Sequence, residues 1–415
     1  MKDSNMQLVK EPHRLDWSLI TVVALLMTIG IAMVYSATAS DPVAWYKSFW
    51  FRQIIHFTIG WGFVVAILFS KPRLWYNIAY PFYFFTLLLL MFVLFVGGES
   101  SHGAGRWIGM GLFNIQPSEF AKIGYLLVLS RYLSNTSVSL ERPFSFVIPG
   151  LLFVVPFLLV LKQPNLSTAL VFSATTLVLF YWAGLRLPDM FLMLSPVFSV
   201  IAAMSQLAWG GLMTTVFVVI WRRKLPAFIS ASIIILNVAA GFGSFMVWNS
   251  ILKEHQRSRI LTFVNPLRDP KGAGYQVIQS KVTIGSGGVT GKGFGLGSQT
   301  NLAFLPEEHT DFIYSVLGEQ FGMIGCSIVI LLFWLLMLRG VNICQIHGHP
   351  FVNMMVVGSC TILFFHVFVN IAMTLGLAPV TGLPLPFLSY GGSFVMTSMI
   401  LVGFLLLLRF KGEEI

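Results

Sequence analysis

The chain is 415 residues long, 56% hydrophobic and only 10% charged, with a mean hydropathy of +0.81. Soluble chains carry about 25% charged residues, so this one lacks the polar groups to coat a water-facing surface, which argues against a disordered protein, a soluble enzyme or a DNA-binding protein. The excess apolar surface must face lipid. At ~20 residues per crossing the expected fold is all-α, a polytopic transmembrane bundle of about 10–12 spans with one large outer loop.

Residues 1–16 are polar and lead into a full-length apolar run with no small-residue cleavage site, which reads as a retained first span behind a cytoplasmic tail, not a signal peptide. Runs long enough to cross lie at 17–36, 49–70, 74–96, 116–133, 144–161, 166–184, 188–206, 226–250, 312–338, 351–376 and 386–409. A twelfth, near 209–221, is short. The net charge of +10 is scattered as small groups at the ends of these runs, as in Lys71-Pro72-Arg73 and Arg222-Arg223-Lys224. That is cytoplasmic anchoring, and it explains the charge better than a nucleic-acid partner does. With the N-terminus inside, Lys71, Arg73, Arg131, Arg142, Arg186, Arg222–Lys224, Arg339, Arg409 and Lys411 all fall inside, provided that 209–221 crosses. Twelve spans with both termini cytoplasmic fit best; ten plus a re-entrant piece is the alternative.

The expected layout is therefore a tail 1–16, a transmembrane region 17–250, an outer loop 251–311, a second transmembrane region 312–409 and a tail 410–415. A shorter outer loop, 97–115, is glycine-rich and holds Glu99, His102 and Arg106. Cys326, Cys344 and Cys360 show no CxxC spacing, so neither a zinc site nor a disulfide framework is supported.

Four stretches could carry chemistry. In Gly285–Gly297 the spacing misses the phosphate-loop pattern, because Ser286 stands where the first glycine should be and Gly293 follows Lys292. Its glycines either form a flexible connector or let backbone N–H groups approach an anion. In Leu305-Pro-Glu307-Glu308-His309-Thr310-Asp311-Phe312, ionisable groups gather where an apolar run begins, with Asp311 expected in the first helical turn. Thr310 or Asp311 could simply cap that helix; alternatively Asp311 is a partly desolvated base at the membrane rim. In Gln116-Pro-Ser-Glu119-Phe-Ala-Lys122, two opposite charges three residues apart share a helix face inside a span, a costly arrangement that usually faces a cavity or partner. Finally, Pro379–Ser393 mixes prolines with glycines beside an apolar run, and either lines a pocket or makes a tight outer turn.

Together with Gly105-Arg106-Trp107-Ile108 and Asp269–Lys281, these stretches resemble the SEDS family (shape, elongation, division, sporulation) of bacterial membrane proteins, in the family's order from the third span to the last. The stretch Gly272–Lys281 is more like the elongation members than the division members. The resemblance implies a peptidoglycan glycosyltransferase in the bacterial plasma membrane that polymerises lipid II on the outer face, a class B penicillin-binding protein as partner, and a divalent cation, Mg²⁺ or Mn²⁺. It maps the family's essential aspartate onto Asp311, its cavity pair onto Glu119 and Lys122, and its loop arginine onto Arg106. Gln116, Lys281, Glu307, His309 and Ser393 lie in the matching motifs and are expected to meet substrate. The chain departs from several relatives in having Ala303 where they carry an acidic residue, and in an additional hairpin within 188–250.

Joining two sugars through a hydroxyl calls for a base, whereas a departing lipid diphosphate calls only for positive charge. The expected roles are Asp311 as base or metal-holding carboxylate, Lys122, Arg106 and Lys281 as diphosphate contacts, and Glu119 orienting Lys122. A lipid II flippase and a non-catalytic scaffold for the penicillin-binding protein are the rival readings.

Overall fold

The computed structural model describes residues 15–39, 44–96, 106–110, 113–135, 143–163, 165–246, 257, 265, 273–302, 304–346 and 348–414. Glu99, His102, Gly105, Arg142, Ala303 and most of 251–272 lie outside them, as does the tail before residue 15.

The described residues form fourteen helices and one two-stranded hairpin. Nine come before the large loop: α1 Trp17–Ala37, α2 Phe49–Phe69, α3 Pro72–Val96, α4 Pro117–Leu133, α5 Val147–Lys162, α6 Leu166–Trp182, α7 Leu187–Ala202, α8 Gln206–Arg223 and α9 Ala227–Met246. Then follow α10 Ala273–Ser286, a single turn α11 Ser298–Asn301, α12 Ile313–Ile346, α13 Pro350–Thr374 and α14 Gly392–Lys411. Strands Ile108–Met110 and Phe113–Ile115 pair antiparallel just before α4. Seven helices are long and apolar enough to cross a membrane, α1, α2, α3, α9, α12, α13 and α14; α5, α6 and α7 are shorter and apolar. With α4 and α8, every one of the twelve apolar runs is a helix. The protein is a multi-pass membrane protein.

Three boundaries differ from expectation. The final helix begins at Gly392 and not at Pro386, because Pro384 and Pro386 cannot continue an amide ladder and Phe387 sits at φ +64. The run expected to end at 338 continues to Ile346 and is broken at Gly322, whose φ of +61 and ψ of −158 are not helical. The outer loop is not simply polar coil: α10 packs against α12 and α13, burying Val277, Ser280 and Thr283.

α14 lies along α2, α3 along α4, and α13 along α12, α6 and α4, so α4, α13 and α14 are the innermost helices. The additional hairpin belongs to a satellite of three helices. There α7 packs on α8 and α9 around a separate small core of Leu192, Val216 and Ile220, and meets the main bundle along α6. Ser195, Ser199, Asn237 and Trp209 join its helices by side-chain hydrogen bonds, the polar glue that replaces a hydrophobic drive between helices in lipid.

The helix ends sort by charge. At one end Arg131 reaches the carbonyls of Tyr76 and Asn77, Lys411 reaches those of Leu68 and Ser70, and Arg223 pairs with Asp189. The sequence-selected acidic, glycine-rich and proline-rich segments gather at the other end.

Candidate functional site

At that second end the chain between α13 and α14 folds back among the helices. Leu383, Leu385, Phe387, Leu388 and Ser389 are all buried. Irregular backbone at this depth must be covered by protein or line a cavity, and here α1 covers part of it. A Cβ on Gly30 would sit 2.1 Å from the Phe387 carbonyl, so only glycine lets α1 approach so closely. Ser389 ties the segment to the loop before α12: its hydroxyl donates to Thr310 O (2.6 Å) and accepts from Leu385 N (2.8 Å). Gln53 on α2 donates to Ser389 O (3.0 Å).

Asp311 lies two residues before α12, not in its first turn, and is half-buried. Glu307, at φ +54, bends the chain so that its carbonyl accepts from the amides of Thr310, Asp311 and Phe312. Its carboxylate accepts from Thr310 Oγ1 (3.2 Å), so Glu307 shapes the turn that carries Asp311. His309 packs against Phe49, with ring centroids 4.4 Å apart and planes tilted by 32°, and its carbonyl accepts from Tyr390 N. The Asp311 carboxylate faces the backbone of Gly382, where a Cβ would come within 3.2 Å of Oδ2.

Glu119 and Lys122 point into the bundle, 4% and 1% exposed. Lys122 Nζ lies 2.9 and 2.8 Å from the two Glu119 oxygens, 3.0 Å from His366 Nε2 and 5.6 Å from the centre of the Phe394 ring. One turn further along α13, Asn370 donates to Asp311 O (2.9 Å) and Leu383 O (2.7 Å). His366 and Asn370, four residues apart on one helix face, therefore fix Lys122 and the Asp311 segment relative to one another.

Neither His366 nor Asn370 was selected from the sequence. The available signal was a polar pair at i, i+4 inside an apolar run, which is expensive unless it faces a partner.

The other expected residues border the same end. Ser393 Oγ accepts from Gln116 N (3.0 Å), joining the starts of α14 and α4. Half-buried Arg106 donates through Nε to Gln163 O (2.8 Å). Lys281 is exposed and lies along Gly376, where a Cβ would come within 2.2 Å of its Cε, on the same α13–α14 connection that backs Asp311. Thus Lys281 and Arg106 border the water-facing rim, whereas Lys122 is inside.

The glycine stretch 285–297 is neither a phosphate loop nor a loose connector. It packs against the backbone of α12 at its break: a Cβ on Gly287 would sit 2.0 Å from Gly318 O, and one on Gly291 2.2 Å from Gln320 O. Lys292 Nζ pairs with Glu319 at 2.7 Å. That carboxylate, wholly buried, also accepts from Gln299 N (2.9 Å), Thr300 N (3.1 Å) and Thr300 Oγ1 (2.8 Å).

Among the described residues no group of three or more His, Cys, Asp and Glu side chains assembles as a metal cage. A single carboxylate still suits Mg²⁺, which is usually held by one or two carboxylates with substrate phosphates and water completing its shell.

Comparison with known proteins points to one family. The family model FTSW_RODA_SPOVE, described as "Cell cycle protein", matches residues 16–210 and 196–413. The probable peptidoglycan glycosyltransferase FtsW of Geobacter sulfurreducens is 33% identical, over 97% of this chain and 98% of its own. The peptidoglycan glycosyltransferase RodA of Treponema pallidum is 32% identical, over 94% and 96%. Among solved structures, a chain from a peptidoglycan synthase complex described as coordinating polymerization and crosslinking superposes with a TM-score of 0.70, at 29% identity over 95% of this chain and 97% of that one. The rod shape determining protein RodA of Thermus thermophilus gives 0.62, at 26% identity over 95% and 96%.

Proposed function

The chain belongs to the FtsW/RodA/SpoVE family of cell cycle proteins, and on that footing we propose how this member works. It is a peptidoglycan glycosyltransferase of the bacterial membrane. Its substrate on this reading is lipid II, taken at the outer face, with both termini cytoplasmic. The basic helix ends at the pole opposite Asp311 support that orientation.

The sugar hydroxyl of one lipid II attacks C1 of another, the bond from C1 to the lipid diphosphate breaks, and the hydroxyl proton is removed. Asp311 either accepts that proton or holds a divalent cation with the diphosphate; when bound, the cation would neutralise charge on the departing oxygens. Lys281 and Arg106, at the rim, meet the diphosphate directly. Lys122, held between Glu119 and His366, supplies positive charge from inside the site. Gln116 and Ser393 set the spacing of α4 and α14 around it, and Glu307 and His309 hold the turn that presents Asp311.

The observation that carries the reading is that one face of α13 grips both Lys122 and the Asp311 segment. An acid–base group and a buried cation from segments far apart in the chain are thereby held in register. The partner on this reading is a class B penicillin-binding protein, which would cross-link the strands as they emerge. The cellular role is elongation and cell shape, supported by the stretch Gly272–Lys281 and by the likeness to the Thermus thermophilus structure.

The test is polymerisation of fluorescent lipid II by purified protein with a divalent cation and the partner. Long glycan strands from the wild type and none from Asp311→Asn are expected. Equal polymer from both would remove Asp311 from the chemistry, and transbilayer movement of lipid II without polymer would make the protein a flippase.

A further inference from the structure

The satellite of α7, α8 and α9 takes no part in the chemistry above, yet an open-sided concavity of about 570 Å³ lies at the end of α8. That volume lies within the ~300–1,000 Å³ of small-molecule sites. Its walls are Phe217, Ile220, Trp221, Arg222, Lys224 and Leu225. Of the three consecutive cations here, Arg223 turns away and is neutralised by two hydrogen bonds to Asp189, at 2.9 and 2.6 Å. Arg222 and Lys224 remain without an anionic partner among the described residues, and both border the cavity.

Their convergence is built into the backbone. Residues two apart on a helix point in different directions, so a continuing α8 would splay Arg222 and Lys224. Instead Lys224 adopts the left-handed conformation, φ +49 and ψ +45, and caps α8 through its amide on Trp221 O. Glycine takes that conformation without strain and lysine does not. The chain thus keeps a cation at the one position of this turn where its backbone argues against one.

We propose that this cavity is a binding site for the headgroup of an anionic phospholipid, its phosphate between Arg222 and Lys224 and its acyl chains along the flank of α8. The apolar wall is continuous with the lipid-facing surface, since Phe217 is 62% and Trp221 73% exposed. Tryptophan belongs at the headgroup level of a bilayer, and clustered Lys and Arg at a cytoplasmic helix end attract acidic headgroups. The site lies at the pole opposite Asp311, because Arg223 and Asp189 join the end of α8 to the start of α7. It is independent of the polymerisation site.

The experiment uses the full chain in nanodiscs of equal phosphatidylglycerol and phosphatidylcholine, with native mass spectrometry reading the lipid that stays bound on release. Wild type is expected to retain phosphatidylglycerol selectively. Lys224→Gly should lose about fivefold of that retention, and Arg222→Gln/Lys224→Gly about fivefold more, whereas Lys71→Gln at the same pole should retain it fully. Because Lys224→Gly relieves the strained turn, it remains folded by gel filtration, and it decides the question alone if the double variant does not fold. Retention unchanged in Lys224→Gly, or phosphatidylcholine held as tightly as phosphatidylglycerol by the wild type, would overturn the proposal. Displacement of the lipid by millimolar inorganic phosphate would reassign the cavity to a free anion and overturn it equally.

Discussion

Two lysine–glutamate pairs lie toward the same pole of the bundle, one wholly buried and one with only its glutamate buried, and they are built differently. Glu319 is saturated: besides Lys292 it accepts two backbone amides and a threonine hydroxyl, all from the segment 298–300 that it holds in place. Among the described residues the Glu119 carboxylate has Lys122 as its one side-chain polar partner, and Lys122 has beyond it a histidine nitrogen and an aromatic face. Burying a charge is costly unless it is fully hydrogen-bonded. A saturated carboxylate is therefore a brace. The Glu119–Lys122 pair is held by fewer partners, so on the proposed reading the same two residue types serve the framework in one place and the reaction in the other.

The comparison can be broken most directly from the Lys122 side. Asp311→Asn keeps size and main-chain contacts but cannot accept the hydroxyl proton or hold a cation. Polymerisation should fall by ~10²–10⁴-fold, with membrane expression unchanged. Next comes the α13 face. Asn370→Ala removes both donors that pin the Asp311 segment and the Leu383 carbonyl, and a displacement of the order of 1 Å can cost ~10²-fold in rate. The loss should appear in kcat with little change in KM, because the rim cations proposed to meet the diphosphate are untouched; a change in KM alone would show that Asn370 serves binding.

The smallest effect sharpens the framework side. Gly287→Ala places a methyl against Gly318 O and should destabilise by about 1–3 kcal/mol in thermal unfolding. Gly285→Ala, whose added carbon meets nothing within 4 Å, should shift stability by no more than ~0.5 kcal/mol. Equal effects would mean that the glycines do not serve close approach.

Much of this was legible in the sequence. Apolar runs give helices because lipid leaves the backbone no other partner, and the Glu119–Lys122 spacing alone put both on one face. What could not be read was contact across the chain. His366 and Asn370 are ordinary polar residues until α13 is seen between Lys122 and Asp311, and nothing in the sequence shows that the Glu307 carbonyl holds the turn before α12. The glycine stretch looked loose because glycine signals freedom and close packing alike, and only the neighbour distinguishes them. The kink at Gly322 was hidden for the same reason.

The account stands on the division of labour between the two pairs, and one paired measurement tests it: lipid II polymer formed per folded molecule by Glu119→Gln/Lys122→Met and by Glu319→Gln/Lys292→Met. Each double variant removes both charges, so neither strands a lone buried ion. The account predicts that the first folds with near wild-type thermal stability and makes no polymer, whereas the second loses stability but polymerises normally in its folded fraction. Normal polymer from the first, or inactive but fully stable protein from the second, would contradict it.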